Sequence, residues 1–363
     1  MNARDTSIHA ADAGGTDILD EGLQRLSTTG PEFGGGLSNH GPMAAEALVR
    51  LGRAVAVGPW LDGYLKRLDD APRPSSRITG ENWREGLGDL TRVADWEAYF
   101  SAELTDADWR EVLGTWWTRL APGLAAGATH GIIRTSHAAR SLAAAETAGT
   151  DITQRQGELA RGLAYWAARY TELAPDAPRP AGTLEPREAV RGLPRAAEAP
   201  RRGMITDALR AGLADQPGFG VATGALRPPE DVSDGLLGLA VEFTRVFLAY
   251  GRTRTIGLLH AVTAPVAARS ALPLLPAEAA RLTHDSLWRL DAALYTVYTG
   301  ALSPEPLPSG PPPAADDLAD RAVASRDEHA IKLTEACLRL HGETADPVLL
   351  HAAARASELL TTA

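Results

Sequence analysis

Apolar residues recur at helical spacing along nearly the whole chain, and this pattern constrains the fold more than any other feature. Leu159, Leu163, Trp166 and Tyr170 are separated by three or four residues, which places them on one face of a helix. Alanine and leucine dominate, and β-branched clusters in strict alternation are scarce. The sequence therefore predicts an all-α fold, and we expect a single multi-helix domain with a buried central pocket.

Capping residues and prolines indicate where individual helices begin and end. Ser38 and Asn39 before Gly41-Pro42 have the pattern of a helix start. The helical pattern then continues in separate segments, each bounded by prolines, glycines or polar residues. These segments are about 42–58, 106–120, 124–147, 151–173, 203–213, 233–250, 256–300 with a break near Pro273–Pro276, 315–341 and 345–361.

Two proline-rich segments interrupt the helical pattern. Residues 174–203 hold six prolines among many charges, and residues 303–314 hold six more in the run SPEPLPSGPPP. Both are predicted to be surface loops and not domain boundaries, because candidate site residues come from all three blocks that they separate. We therefore expect one all-α domain over 17–363, preceded by a flexible tail over 1–16.

The charge and the cysteine content exclude several classes of function. The 363 residues include 36 basic and 46 acidic ones, a formal net charge of −10, which argues against nucleic-acid binding as the main function. No run of about 18 apolar residues is present, so we expect neither a membrane span nor a signal peptide. The single cysteine, Cys337, excludes an internal disulfide and fits a reducing, cytoplasmic location, with the oligomeric state left open.

One segment, Asp327-Glu328-His329-Ala330-Ile331-Lys332, places a histidine and a lysine three residues apart on one helix face. Lys332 is one of only two lysines, and the other basic residues are arginine. A buried lysine with a lowered pKa can be neutral and can take up carbon dioxide, which gives an anionic carbamate ligand for a metal. Spacing alone favours the alternative, a surface ion pair between Glu328 and Lys332, and both interpretations remain open here.

Other histidines are also candidates for chemistry. His130 and His137 are seven residues apart on one predicted helix face, and His40 opens a helix after a glycine-rich segment. His260 lies among apolar residues, so it is predicted to be buried and to need a partner. Each also has an ordinary interpretation as a core, surface or capping histidine. No zinc-protease spacing, phosphate-binding loop, dinucleotide fingerprint or hydrolase elbow occurs in the chain.

Four segments, taken together and in this order, resemble the questin oxidase-like family. They are Asn39–Met43 with the helix after it, His130–Arg134, Leu259–Thr263 and Asp327–Lys332, and the resemblance spans about residues 20 to 340. Fungal members oxidise or cleave rings of anthraquinone-type polyketides in secondary metabolism, by Baeyer–Villiger-type or dioxygenolytic reactions. Part of the family is thought to hold non-haem iron with histidines and a carboxylated lysine. For this chain, the resemblance implies five metal ligands, which are His40, His130, His260, His329 and Lys332.

The chain departs from the family at two positions. Fungal relatives tend to have a second histidine where Arg134 stands and an aromatic residue where His137 stands. The resemblance therefore makes His137 a reserve ligand for His130. Arg134 is a candidate to pair with a phenolate or quinone oxygen of the substrate, and both residues are kept as candidate catalytic residues.

The resemblance implies an oxidoreductase, an oxygenase that uses iron(II) and dioxygen on a ring of an aromatic polyketide-like small molecule. Four neutral imidazoles and one anionic oxygen suit five or six coordination, which favours iron over tetrahedral structural zinc. Two alternatives stay open. One is a metal-free Baeyer–Villiger-type monooxygenase that uses NADPH, with the histidines as acid–base groups. The other is a non-catalytic all-α protein that binds small molecules.

Overall fold

The computed structural model describes residues 15, 17–198 and 204–361, and the tail predicted for 1–16 lies outside them except for Gly15. In the described residues a first helix, α1, includes 17–26. The remaining strands and helices are β1 Glu32–Phe33, β2 Leu37–Ser38, α2 Gly41–Arg50, α3 Val57–Tyr64, α4 Val93–Asp106, α5 Trp109–Leu120, α6 His130–Ala148, α7 Thr153–Ala168, α8 Pro186–Arg191, α9 Ile205–Ala214, α10 Phe219–Gly224, α11 Val232–Ala271, α12 Ala277–Thr299, α13 Ala315–Ser325, α14 Glu328–Thr344 and α15 Pro347–Leu359.

The predicted all-α fold is confirmed, and the helices are consistent with a single domain. The one sheet among the described residues is an antiparallel hairpin of β1 and β2, in which Glu32 pairs with Ser38 and Phe33 with Leu37. The sequence analysis did not predict this hairpin, because two residues per strand are too few for an alternating pattern. Within the described part of the chain, no helix combines the length and the apolar character needed to cross a membrane.

Several helix boundaries differ from the predicted ones for local reasons. The predicted helix over 315–341 is wrong, because Arg326 has a φ of 56° and ends α13, after which the Asp327 side chain caps α14. The predicted segments 233–250 and 256–300 are divided differently, since α11 continues through a kink at Arg254 and ends before the break near Pro273–Pro276. Residues 303–314 form no helix or strand, as expected of a proline-rich loop.

Four helices form a closed ring in which each contacts the next: α2 with α6, α6 with α11, α11 with α14, and α14 with α2. The helices α7, α12 and α15 pack outside this ring, against α6, α11 and α14 respectively. A large apolar core includes most of the buried tryptophans, and a smaller core joins α1, α2 and α3 to α13 and α14. Burial of these apolar side chains holds the ring together, and it fixes the positions of polar residues that point into it.

Candidate metal centre

His40 lies between the hairpin and α2, at the N-cap position of that helix. The Asn39 side chain donates hydrogen bonds to Thr29 Oγ1 and to the Gly30 carbonyl and accepts one from Gly41 N–H, which fixes the chain on both sides of His40. The His40 backbone N–H donates to the Tyr64 hydroxyl at 2.7 Å. The short hairpin therefore serves to aim one imidazole into the helix ring.

His130 is the first residue of α6, and it follows a left-handed turn. Gly127, Ala128 and Thr129 have φ values of 51°, 55° and 74°. Positive φ costs energy at alanine and even more at a β-branched threonine, so the surrounding packing must impose this turn. The turn brings the Gly127 carbonyl to His130 Nδ1, at 2.5 Å, and the predicted start of this helix near residue 124 is therefore wrong.

His260 projects from the buried half of α11, where residues 257–268 are all buried. Its Nδ1 lies 2.7 Å from the Ile256 carbonyl of the preceding turn, which holds the ring in one orientation. The sequence analysis predicted that this histidine is buried and partnered, and the structure confirms both points.

The three Nε2 atoms of His40, His130 and His260 converge. His130 Nε2 lies 2.5 Å from His40 Nε2 and 3.1 Å from His260 Nε2. A carbonyl oxygen can only accept a hydrogen bond, so the Nδ1 atoms of His130 and His260 carry the protons and their Nε2 atoms carry lone pairs. His40 Nδ1 faces the Glu328 carboxylate at 3.4 Å, which favours the same tautomer. The lone pair of His130 Nε2 thus faces those of His40 and His260, an arrangement that a bound cation or a shared proton stabilises.

A shared proton is disfavoured at neutral pH. Burial lowers the pKa of each of these three imidazoles well below 6.5, and the positive charges of neighbouring groups lower it further. Because none of the three takes up a proton readily, a metal cation is the better partner for the converging lone pairs.

The helix α14 carries the two other candidate ligands, His329 and Lys332. The His329 ring lies 4.5 Å from the His40 ring and 5.9 Å from the His260 ring, between centroids. Ligand atoms of His40, His130 and His329 all lie within 4.8 Å of one another. His329 Nδ1 is 3.3 Å from Asp327 Oδ1 but has no hydrogen-bond partner among the described residues.

Lys332 is buried, with 2 % of its surface exposed, and its Nζ has no hydrogen-bond partner among the described residues. Glu328, the partner in the alternative ion pair, instead reaches His40 Nδ1 and the Arg67 guanidinium, each at 3.4 Å. The surface ion pair is therefore not formed. Burial lowers the Lys332 pKa to about 8, against the opposing charges of Glu328 and Asp327, so the amine is readily deprotonated.

The donor set fits a divalent transition metal. Metal–nitrogen bonds of about 2.1 Å place neighbouring ligand atoms about 3 Å apart, close to the 3.1 Å between the His130 and His260 nitrogens. The 2.5 Å between the His40 and His130 nitrogens would widen slightly around an ion. The Gly127 and Ile256 carbonyls and the Glu328 carboxylate would orient the rings as outer partners, which metal-bound histidines almost always have.

The other two candidate residues, Arg134 and His137, are held elsewhere on α6. Arg134 donates two hydrogen bonds to Glu158, at 2.6 and 2.9 Å, and both side chains are buried. His137 Nδ1 lies 2.9 Å from Glu46 Oε2. Neither side chain belongs to the group of converging ligand atoms. His130 occupies its own place in the cluster, so the structure assigns no ligand position to the reserve residue His137.

Tyr165, which sequence analysis missed, links two of the ligand segments. Its hydroxyl donates to Glu32 Oε1 at 2.8 Å and accepts from Ser38 Oγ at 2.7 Å, both in the hairpin that carries His40. It also lies against Gly127, where an added Cβ would come within 2.6 Å of the hydroxyl oxygen. No local pattern could reveal this role, because the contacts of Tyr165 with the hairpin span more than a hundred residues.

We expect the metal-free protein to lose stability as the pH falls below about 6.5. His40, His130 and His260 then take up protons in the unfolded chain but not in the folded one, because burial lowers their pKa values. Each contributes about 1.4 kcal/mol per pH unit until its folded pKa is reached. Urea unfolding at pH 7.5, 6.5 and 5.5 with a chelator measures the effect, and His260→Asn should show a shallower dependence. Equal unfolding free energies at pH 7.5 and 5.5 would contradict the prediction.

Comparison of the chain with protein-family models found no match, and comparison with curated proteins found none either. Inferences about function therefore rest on the residues of the chain and on the resemblance described above.

Proposed function

We propose that this protein is a non-haem, iron-dependent oxygenase that oxidises or cleaves a ring of an aromatic, polyketide-like substrate. The observation that carries the proposal is the close approach of three imidazole nitrogens, together with a buried lysine whose amine has no hydrogen-bond partner among the described residues. Buried polar groups in a structural core are usually paired, so both features favour a bound cation at this place.

In the proposed site, His40, His130, His260 and His329 would hold iron(II) through neutral nitrogens. Lys332, as a neutral amine, would react with carbon dioxide: a nitrogen–carbon bond forms, a proton leaves to solvent, and the resulting carbamate offers an anionic oxygen. Bound iron would supply electrons to dioxygen. The apolar surroundings of the ring helices would keep bulk water from the reacting atoms.

The resemblance to the questin oxidase-like family supports the substrate class, an anthraquinone or similar phenolic small molecule. Of the ligand positions that this resemblance implies, His40, His130 and His329 form one group of close side chains, which supports the proposal. His260 Nε2 lies 3.1 Å from His130 Nε2. The proposal includes a cytosolic location, where reducing conditions keep the buried Cys337 a free thiol.

Elemental analysis of protein purified anaerobically with iron supplied tests the proposal. We expect about one iron per chain in the natural protein and a loss of more than tenfold in His260→Ala and in Lys332→Ala, because each removes one ligand. His284→Ala is the matched control, since His284 is equally buried but lies on α12, outside the cluster. Its iron content should equal that of the natural protein.

The same samples distinguish the competing functions. Oxygen consumption with a hydroxyanthraquinone should follow the iron content across the variants. A natural protein that binds no metal under these conditions would contradict the proposal. Oxygen consumption by iron-free protein with NADPH would instead favour the metal-free monooxygenase.

A further inference from the structure

The helix α11 changes character one turn before His260. Arg254 interrupts the helix, with φ −135° and ψ 41°, although it is neither glycine nor proline. Residues 254–256 are half-buried, whereas residues 257–268 are all buried. The kink therefore lies where a half-buried turn meets the fully buried segment that carries His260.

Arg254 carries a cation that the described part of the chain does not neutralise. Its Nε is buried and has no hydrogen-bond partner there. An unpaired buried donor is unfavourable, so a ligand with a hydrogen-bond acceptor would stabilise Arg254 Nε, which has no acceptor among the described residues. Arg134, by contrast, donates hydrogen bonds to Glu158 from Nε and from one terminal guanidinium nitrogen.

The Tyr298 side chain lies beside the kink. The Tyr298 ring lies against Gly257, where an added Cβ would come within 2.9 Å of a ring carbon, and Gly257 is one turn from His260. Tyr250 and Tyr295 stand edge to face, 6.3 Å apart. Burial raises the pKa of Tyr298, and the positive charge of Arg254 opposes that increase, which is consistent with their proximity. Flat aromatic ligands pack well against such rings.

We propose that Arg254 binds an anionic oxygen, a phenolate or enolate, of a planar substrate whose ring packs on Tyr298 beside the metal centre. The identity of this ligand rests on the proposed function. A guanidinium is always charged and presents several donors in one plane, so it suits a phenolate with a neighbouring carbonyl oxygen. The proposal assigns to Arg254 the substrate-binding role that the sequence analysis assigned to Arg134.

Binding of a dihydroxyanthraquinone and of its dimethyl ether tests this assignment. Visible absorbance reports whether the bound hydroxyl is ionised, and Zn²⁺-loaded protein prevents turnover because zinc has no redox chemistry. We expect Arg254→Gln to weaken binding of the hydroxyl compound by about tenfold to a hundredfold, as for loss of a charged hydrogen bond. Binding of the ether should change by less than threefold. Arg254→Lys keeps the charge, so its affinity for the hydroxyl compound should lie between those of the natural protein and Arg254→Gln.

The matched control is Arg252→Gln, because Arg252 is an exposed neighbour that pairs with Glu305 at 2.8 Å. It should bind both compounds as the natural protein does. Equal binding of the hydroxyl compound by the natural protein and by Arg254→Gln, or no binding by either, would overturn the proposal. The two proposals can fail separately. Natural protein that binds no iron contradicts the oxygenase, whereas the absence of an effect of Arg254→Gln on ligand binding contradicts only the assignment of Arg254.

Discussion

Lys332→Met is expected to abolish iron binding and, at the same time, to stabilise the metal-free protein. The native site holds an amine whose pKa falls to about 8 from an ordinary value of 10.5, since burial disfavours the charged form. One pKa unit corresponds to about 1.4 kcal/mol, so the charged lysine costs the folded state about 3 kcal/mol at pH 7. Methionine fills a similar volume and carries no charge, so it removes this cost.

The pH dependence of this effect has a definite sign. The folded protein binds the Lys332 proton more weakly than the unfolded chain does, so the penalty is fully present below pH 8. It shrinks between pH 8 and 10.5, where the folded site is already neutral, and it is absent above that range. The stability advantage of Lys332→Met should therefore be largest at pH 7 and should disappear in strongly alkaline solution.

Chemical unfolding with a chelator, in buffers freed of carbon dioxide, measures the stability effect, and elemental analysis measures the iron. Lys66→Met is the control, because Lys66 is the only other lysine and is exposed. It should change neither quantity. In Lys332→Ala, acetate should partly restore iron binding by occupying the space left and offering a carboxylate oxygen. Full iron content in Lys332→Met would show that the lysine is not a ligand.

Local features of the sequence were sufficient to predict most of the long helices and the burial of His260, but not α1 or α4. Helical periodicity and capping depend on residues a few positions apart, so they can be recognised in a single sequence. The placement of His329 and Lys332 on one helix face is such a local feature, whereas the break before Asp327 was not predicted.

The partners of these residues were not predictable, because they depend on tertiary packing. Nothing in the sequence near Glu328 indicates that it faces His40, which is 288 residues away. Arg134 was a candidate for substrate binding, and its actual acceptor, Glu158, was not predictable because it lies on another helix. The left-handed turn before His130 requires positive φ at Ala128 and Thr129, which these residue types disfavour, so only the surrounding structure can impose it.

Arg140→Met is expected to destabilise the protein by about 3–5 kcal/mol, as removal of one partner from a buried ion pair does. Arg140 donates to Glu46 Oε1 at 2.9 Å and to Glu335 Oε1 at 3.0 Å, and it also contacts Glu46 Oε2. The two carboxylates are buried, and the Arg140 charge is the leading influence that lowers their pKa values against the effect of burial. Without Arg140, two like charges would remain close together in the core.

This cluster matters for function because it joins three of the helices that carry the candidate ligands. Glu46 lies on α2, Arg140 on α6 and Glu335 on α14. The variant should therefore also retain less iron, since the segments that hold His40, His130 and Lys332 lose a common anchor. The loss of iron should be partial, because no ligand is removed.

Urea unfolding at pH 7 and at pH 4 separates charge from packing in this variant. Protonation of Glu46 and Glu335 near pH 4 relieves their repulsion, so the loss of unfolding free energy caused by Arg140→Met should be smaller there. A loss caused by poorer packing would be the same at both pH values. Arg110→Met is the control, because Arg110 forms an exposed pair with Glu146 and such pairs contribute at most about 1 kcal/mol. An Arg140→Met protein as stable as Arg110→Met would show that the cluster does not hold the ring helices together.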